Sequence, residues 1–185
     1  MSLPIILLII LIAAGVWLAG IYNKLASLKV KISEAWSQID VQLKRRADLI
    51  PNLVESVKAY ASHEKEVFDN VTRARSALLS SKNPNEAGAA DNMLTGALKT
   101  LFAVAEAYPE LKAQEGFINL QKELSDTEDK VAYSRQFYNT VVRQFNELIV
   151  VFPSNLVAGM FGFSKQEFFE ADEKEREAVK VDFNK

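Results

Sequence analysis

Apolar residues recur three or four positions apart along most of this chain, the spacing that aligns them on one face of a helix. The longest run comprises Leu25, Leu28, Ile32, Ala35, Ile39, Leu43, Ala47, Ile50, Leu53, Val57 and Tyr60. It continues through Val67, Val71, Ala74 and Leu78, so one helix is expected over 22–80, with Glu64 the single polar intruder on its seam. Pro51 lacks the N–H that would bond the Ala47 carbonyl, and is expected to bend this helix without ending it. The turn formers at 80–85 then reverse the chain, and Pro84 suits the first turn of a new helix.

A second, alanine-rich helix is expected over 86–108, with Leu94, Leu98, Leu101, Phe102, Ala105 and Tyr108 on one side. Pro109 ends it. The third pattern is the cleanest heptad in the chain: Phe117, Leu120, Leu124, Thr127, Val131, Ser134, Tyr138, Val141, Phe145, Leu148 and Phe152, stopped by Pro153. Ser125-x-x-Glu128 has the form of a capping box, but the stripe passes through it unchanged, which favours one helix. At about 36 residues against about 23, this helix outruns its alanine-rich neighbour by roughly 20 Å. The uncovered end near Val141, Phe145, Leu148 and Phe152 needs cover. Phe161, Phe163, Phe168 and Phe169 follow at once and are expected to fold back as the fourth element of a bundle, with Ser164-x-x-Glu167 capping a final short helix. Self-association at this patch is the alternative.

Before all of this, residues 3–21 are uncharged and rich in Leu, Ile, Val and Ala, and about 20 helical residues cross a hydrocarbon layer of ~30 Å. A membrane span is expected. No Lys or Arg precedes it, as a cleaved signal peptide would require, and Leu18-Ala19-Gly20 is followed by Ile21 where a lipoprotein would need cysteine. Lys24, Lys29 and Lys31 lie just beyond the span, so the positive-inside bias places the following domain in the cytoplasm and the short N-terminus outside. Trp17 and Tyr22 flank the end of the span, where amphipathic rings favour the interface.

The chain has 185 residues, a formal net charge of −2 and no cysteine. Thiol catalysis, disulfides and thiolate metal sites are excluded, and no basic field suits nucleic acid. Glycine-rich phosphate loops and a G-x-S-x-G elbow are absent from the sequence. His63 is the sole histidine; His63-Glu64 begins like a zinc-protease motif, but Val67 stands where the second histidine belongs. A di-iron bundle needs two Glu-x-x-His pairs, and Tyr60 takes the place of the glutamate. Asp126, Glu128 and Asp129 are too close in sequence to converge on one ion, and read as a solvated charge run. No cofactor is expected.

What remains is polar density beside the first seam: Trp36, Gln38, Asp40, Arg45, Arg46 and Asp48, with His63 and Glu64 downstream and Glu128 and Arg135 on the heptad helix. Half-buried charge pairs more often set helix register than perform chemistry, so these residues are candidates for a structural network or a partner-binding surface. A catalytic or ion-dependent site made from His63, Glu64 and the acidic residues near Glu128 is the rival reading.

The run WSQIDVQLKRRADLIPNLV at 36–54, then Tyr60-Ala61-Ser62-His63-Glu64, resembles the signature of the LemA family. Phe117, Leu120, Gln121, Leu124, Thr127, Glu128, Arg135, Tyr138 and Asn139 match a second block of that family. The stretch from Phe152-Pro153 through Gly162-Phe163 to Phe168-Phe169-Glu170 resembles its ending. The resemblance implies a bacterial inner-membrane protein with one N-terminal transmembrane helix, a cytosolic four-helix bundle and no assigned reaction. Pattern and resemblance together predict an all-α chain: a single-pass anchor at 1–22, an elongated up-and-down four-helix bundle at 23–170, and a charged tail at 171–185. The expected function is a non-enzymatic scaffold or adaptor that binds membrane or cytosolic proteins, with self-association left open.

Overall fold

The structure, a computed structural model, describes residues 3–169, so the tail expected at 171–185 lies outside the described residues. Among these the chain is all-α. The helices are α1 (Leu3–Lys58), α2 (Lys65–Ser80), α3 (Pro84–Glu106), the single turn α4 (Pro109–Lys112), α5 (Glu115–Val150) and α6 (Ser154–Met160). They form two compact units: a bundle unit of residues 39–135 with Phe169, and an anchor unit of residues 3–38 with 136–168.

The bundle unit is a four-helix bundle. Its part of α1 contacts α2 through Ala47 and Arg75, α3 through Arg46 and Asp91, and α5 through Arg46 and Glu128. α2 packs on α3, and Phe102 of α3 meets Phe117 of α5 edge to face at 6.3 Å. Ile39, Leu43, Ala47, Ile50, Leu53 and Val57 are buried, as the stripe demands, together with Val71, Ala74 and Leu78 of α2 and Leu94, Leu98 and Leu101 of α3.

Two details correct the sequence reading. The helix expected over 22–80 is broken: α1 stops at Lys58, and residues 59–64 form a turn before α2. Neither proline nor glycine marks this break. Continuing the helix would carry the Glu64 carboxylate onto the buried seam unpaired, a costly arrangement; the turn leaves Glu64 exposed while Ala61 remains buried. α2 is therefore a separate bundle helix.

Pro51 lies inside α1 as expected. The Ala47 carbonyl deprived of its N–H partner accepts a 2.8 Å hydrogen bond from Nε of Arg75 on α2. At the α2–α3 turn, the Asn83 side chain accepts from the Glu86 N–H at 2.8 Å, Glu86 Oε2 accepts from the Lys82 N–H, and Pro84 opens the helix.

In the anchor unit, α1 begins with the apolar segment, whose side chains are uncovered, and then buries Leu25, Leu28, Ile32 and Ala35. α5 contributes Tyr138, Val141, Val142 and Phe145. α6 ends in a Schellman motif: the Phe163 N–H reaches the Ala158 carbonyl and the Gly162 N–H the Gly159 carbonyl. Gly162 supplies the positive φ of 69° that this geometry needs.

Residues 163–169 fold back, as expected, but as extended backbone and not as the fourth element of the bundle, a place that α2 takes: they contain no helix, so Ser164-x-x-Glu167 caps nothing among the described residues. Asn146 explains why. Its amide group accepts from the Gln166 N–H and donates to the Gln166 carbonyl, both at 2.8 Å, taking the role of a neighbouring strand. The Tyr138 hydroxyl donates to the Glu167 carbonyl at 2.9 Å. These bonds hold extended backbone and compete with helix. Phe163 settles against Phe145 at 6.1 Å and Tyr22 at 5.8 Å, and Phe169 is buried, whereas Phe161 and Phe168 stay exposed.

Candidate functional site

Arg46 sits where the stripe of α1 calls for an apolar residue: 39, 43, 46, 50, 53 and 57 advance by alternating steps of four and three. Its side chain is 2% exposed. A guanidinium so buried demands partners. Nη1 donates to Asp91 Oδ1 at 2.6 Å, and the Asp91 side chain is itself only 8% exposed. Nη2 donates to Thr95 Oγ1 at 3.1 Å and lies 3.6 Å from Glu128 Oε2, whose side chain is 55% exposed. Arg46 Nε finds no partner among the described atoms. Three helices therefore meet at one side chain, and a cavity of about 160 Å³ opens beside it, lined by Thr95, Lys99, Gln121, Ser125 and Glu128.

Burial pushes the Asp91 carboxyl above the ordinary carboxylate value, against the pull of Arg46, which both attracts and hydrogen-bonds the ionised form. Glu128 adds to the rise and the half-buried Arg135 opposes it. Charges of alternating sign thus face one another: two guanidinium groups and two carboxylates, neutral in sum. Through these contacts α1, α3 and α5 are joined at one point.

The other sequence candidates scatter. Gln38, Asp40, Arg45 and Asp48 are exposed on α1. Half-buried Trp36 belongs to the anchor unit and meets Tyr138 edge-on at 6.2 Å. His63 and Glu64 are exposed in the 59–64 turn. Arg46 and Lys58 are separated by about 18 Å of helix, so His63 and Glu128 do not converge. Among the described residues, no group of three or more histidine, aspartate or glutamate side chains gathers to hold a metal ion.

Asp91, Thr95 and Arg75 escape the sequence reading. For Asp91 a signal exists, since Ala87, Asp91, Leu94, Leu98, Leu101 and Ala105 make a heptad seam with one carboxylate in it. A charge on a seam asks for an opposite charge on a neighbouring seam, and Arg46 is the matching case.

The LemA family model matches residues 35–183. A LemA protein of Metamycoplasma hominis is 30% identical over 161 residues, covering 85% of this chain and 72% of that protein. Magnetosome protein MamQ 2 of Paramagnetospirillum magneticum is 23% identical over 175 residues, 80% of this chain, and MamQ of Magnetospirillum gryphiswaldense is 23% identical over 174. The chain spans 64% of the length of each magnetosome protein. With this match across most of its length, and with a helical bundle behind an apolar N-terminal helix, the chain belongs to the LemA family.

Proposed function

We propose that this protein is a membrane-anchored, non-enzymatic scaffold whose bundle presents helix faces to partner proteins. The observation that supports the reading is the fate of its charges: Arg46 and Asp91 neutralise one another inside the bundle, while those on the outer face of α1 remain free to meet a partner. Val41, Arg45 and Asp48 lie one turn apart on that face and are all exposed. They form a helix face of the kind partner proteins recognise.

Residues 3–21 supply the anchor, with Lys24, Lys29 and Lys31 favouring a cytoplasmic bundle and an external N-terminus. Relatives named as LemA and as magnetosome proteins accord with a membrane-associated role. The catalytic alternative requires His63, Glu64 and Glu128 to act together, and their separation weighs against it.

Site-specific photocrosslinking from position 41 or 45 in native membranes tests the proposal. A reproducible protein partner, lost on Arg45→Glu with Asp48→Lys while helix content is kept, is the expected result. Capture of lipid alone would sink it.

A further inference from the structure

The end of the anchor unit around the α5–α6 junction carries large apolar side chains with nothing over them. Phe152 is 74% exposed, Met160 72% and Phe161 55%, and Val150, Val151 and Leu156 are likewise uncovered. A patch of this kind marks an association surface.

Its position within the unit says what it associates with. Tyr22 is the first residue past the apolar segment, and the Phe161 ring lies 4.8 Å from the Tyr22 ring. Phe161 and the adjoining Met160 therefore lie at the depth where the span leaves the hydrocarbon, which is where aromatic rings settle. The flanking charge agrees. Lys24 and Lys31 line a groove of about 440 Å³ with Val151, Gln144 and Glu147, and Lys29 lies 6.0 Å over the Phe163 ring. Glu147 is the acidic member of that lining, against two lysines in it. An apolar tip edged by lysines matches a lipid interface with anionic headgroups.

We infer that the α5–α6 end dips into the headgroup layer of the bilayer that the span crosses, making a second, peripheral membrane contact that fixes how the anchor unit stands on the surface. Phe152, Met160 and Phe161 enter the boundary between headgroups and acyl chains, and Lys24, Lys29 and Lys31 meet lipid phosphates. The inference rests on reading residues 3–21 as a membrane span.

Because the chain has no cysteine, single cysteines report cleanly. The full-length protein, carrying Ile9→Cys, Phe152→Cys, Met160→Cys or the exposed α2 reference Thr72→Cys, is labelled with a fluorophore and reconstituted in phosphatidylcholine–phosphatidylglycerol vesicles. Quenching by nitroxide lipids is compared with quenching by aqueous iodide, with circular dichroism as the check on folding. Positions 152 and 160 should be quenched by shallow nitroxides severalfold more than position 72 and be shielded from iodide, while position 9 responds to deep nitroxides. Omitting phosphatidylglycerol, or replacing Lys24 and Lys31 by Gln, should weaken the shallow quenching.

A deep position 9 with positions 152 and 160 as open to iodide as position 72 overturns the inference and leaves the anchor standing. Absence of lipid quenching at position 9 removes the anchor itself and the inference with it. Shielding of 152 and 160 from lipid and iodide alike means a second copy covers the patch, which also overturns it.

Discussion

In the bundle unit three helices meet at one buried guanidinium, whereas in the anchor unit residues 163–168 are held by rings and by an asparagine amide bonded to extended backbone. The first arrangement is exacting. Arg46 satisfies Asp91, Thr95 and Glu128 only when α1, α3 and α5 share one alignment, and any slip leaves a desolvated charge. The second is local: Asn146 closes two bonds on Gln166 and the rings pack around them, so only α5 and the segment beside it must align. One unit ties three helices at a point, and the other ties one extended segment to one helix.

Removing one partner of the buried pair should give the largest effect. Asp91→Ala is expected to destabilise the bundle by about 3–5 kcal/mol, because Arg46 is then left uncompensated. Denaturant melts of the full chain in nanodiscs would show this, and a loss below ~1 kcal/mol would mean that the pair does not hold the helices. Replacing both partners together, Arg46→Met with Asp91→Leu, should recover most of the loss while relaxing helix alignment.

Arg75→Ala should follow at about 1.5–3 kcal/mol, the range for a hydrogen bond from a charged donor. Its dependence on Pro51 is the sharper test. In a Pro51→Ala background residue 51 regains an N–H for the Ala47 carbonyl, so the penalty of Arg75→Ala should shrink; strictly additive effects would show that the bond does not compensate the proline.

In the anchor unit Tyr138→Phe should cost only about 1 kcal/mol, the worth of one neutral hydrogen bond to the Glu167 carbonyl. Burial, with a smaller contribution from Glu167, pushes the Tyr138 phenol up to about 12. The folded state thus holds this proton more tightly than the unfolded chain, whose tyrosines titrate near ~10. Its contribution is complete below that value and is lost as pH rises towards about 12. Alkaline melts of the Tyr138→Phe protein should lack this component.

Asp91 gives the smallest signal, of the same sign at the acid end. Its carboxyl is raised, so its contribution is greatest below the unfolded value near ~3.9 and declines as pH rises through the folded one. Comparing the pH slope of stability with that of Asp91→Asn checks this. A steeper rise in stability with pH in the parent protein would contradict it.

The same contrast separates what could be read along the chain from what could not. Seam residues such as Ile39, Leu53, Leu94 and Phe145 were legible because burial follows their spacing. The stripe, followed through Ala47, leaves Arg46 among the polar residues beside the seam, and Asp91, though on a heptad seam of its own, lies in an alanine-rich stretch that the apolar pattern alone passes over. The break at 59–64 carries no proline or glycine. It is visible only when the cost of burying Glu64 is weighed against the gain of one more helical turn. The segment after Gly162 differs for a related reason: Ser164-x-x-Glu167 favours a helix locally, and Asn146 and Tyr138, distant in sequence, hold the same residues extended.

The sequence by itself determined the helical class, the apolar faces, the apolar N-terminal segment with its flanking lysines, and the family, because each is written in spacings of a few residues or in a run of contiguous signature. Only the tertiary structure decided that Arg46 pairs with Asp91 across 45 positions, that Arg75 answers the carbonyl left open by Pro51, and that residues 163–168 run extended along α5. Periodicity says which face of a helix turns inward. Which atoms then come within hydrogen-bonding distance depends on how far each helix slides along its neighbour, and that is settled by the whole packed core at once.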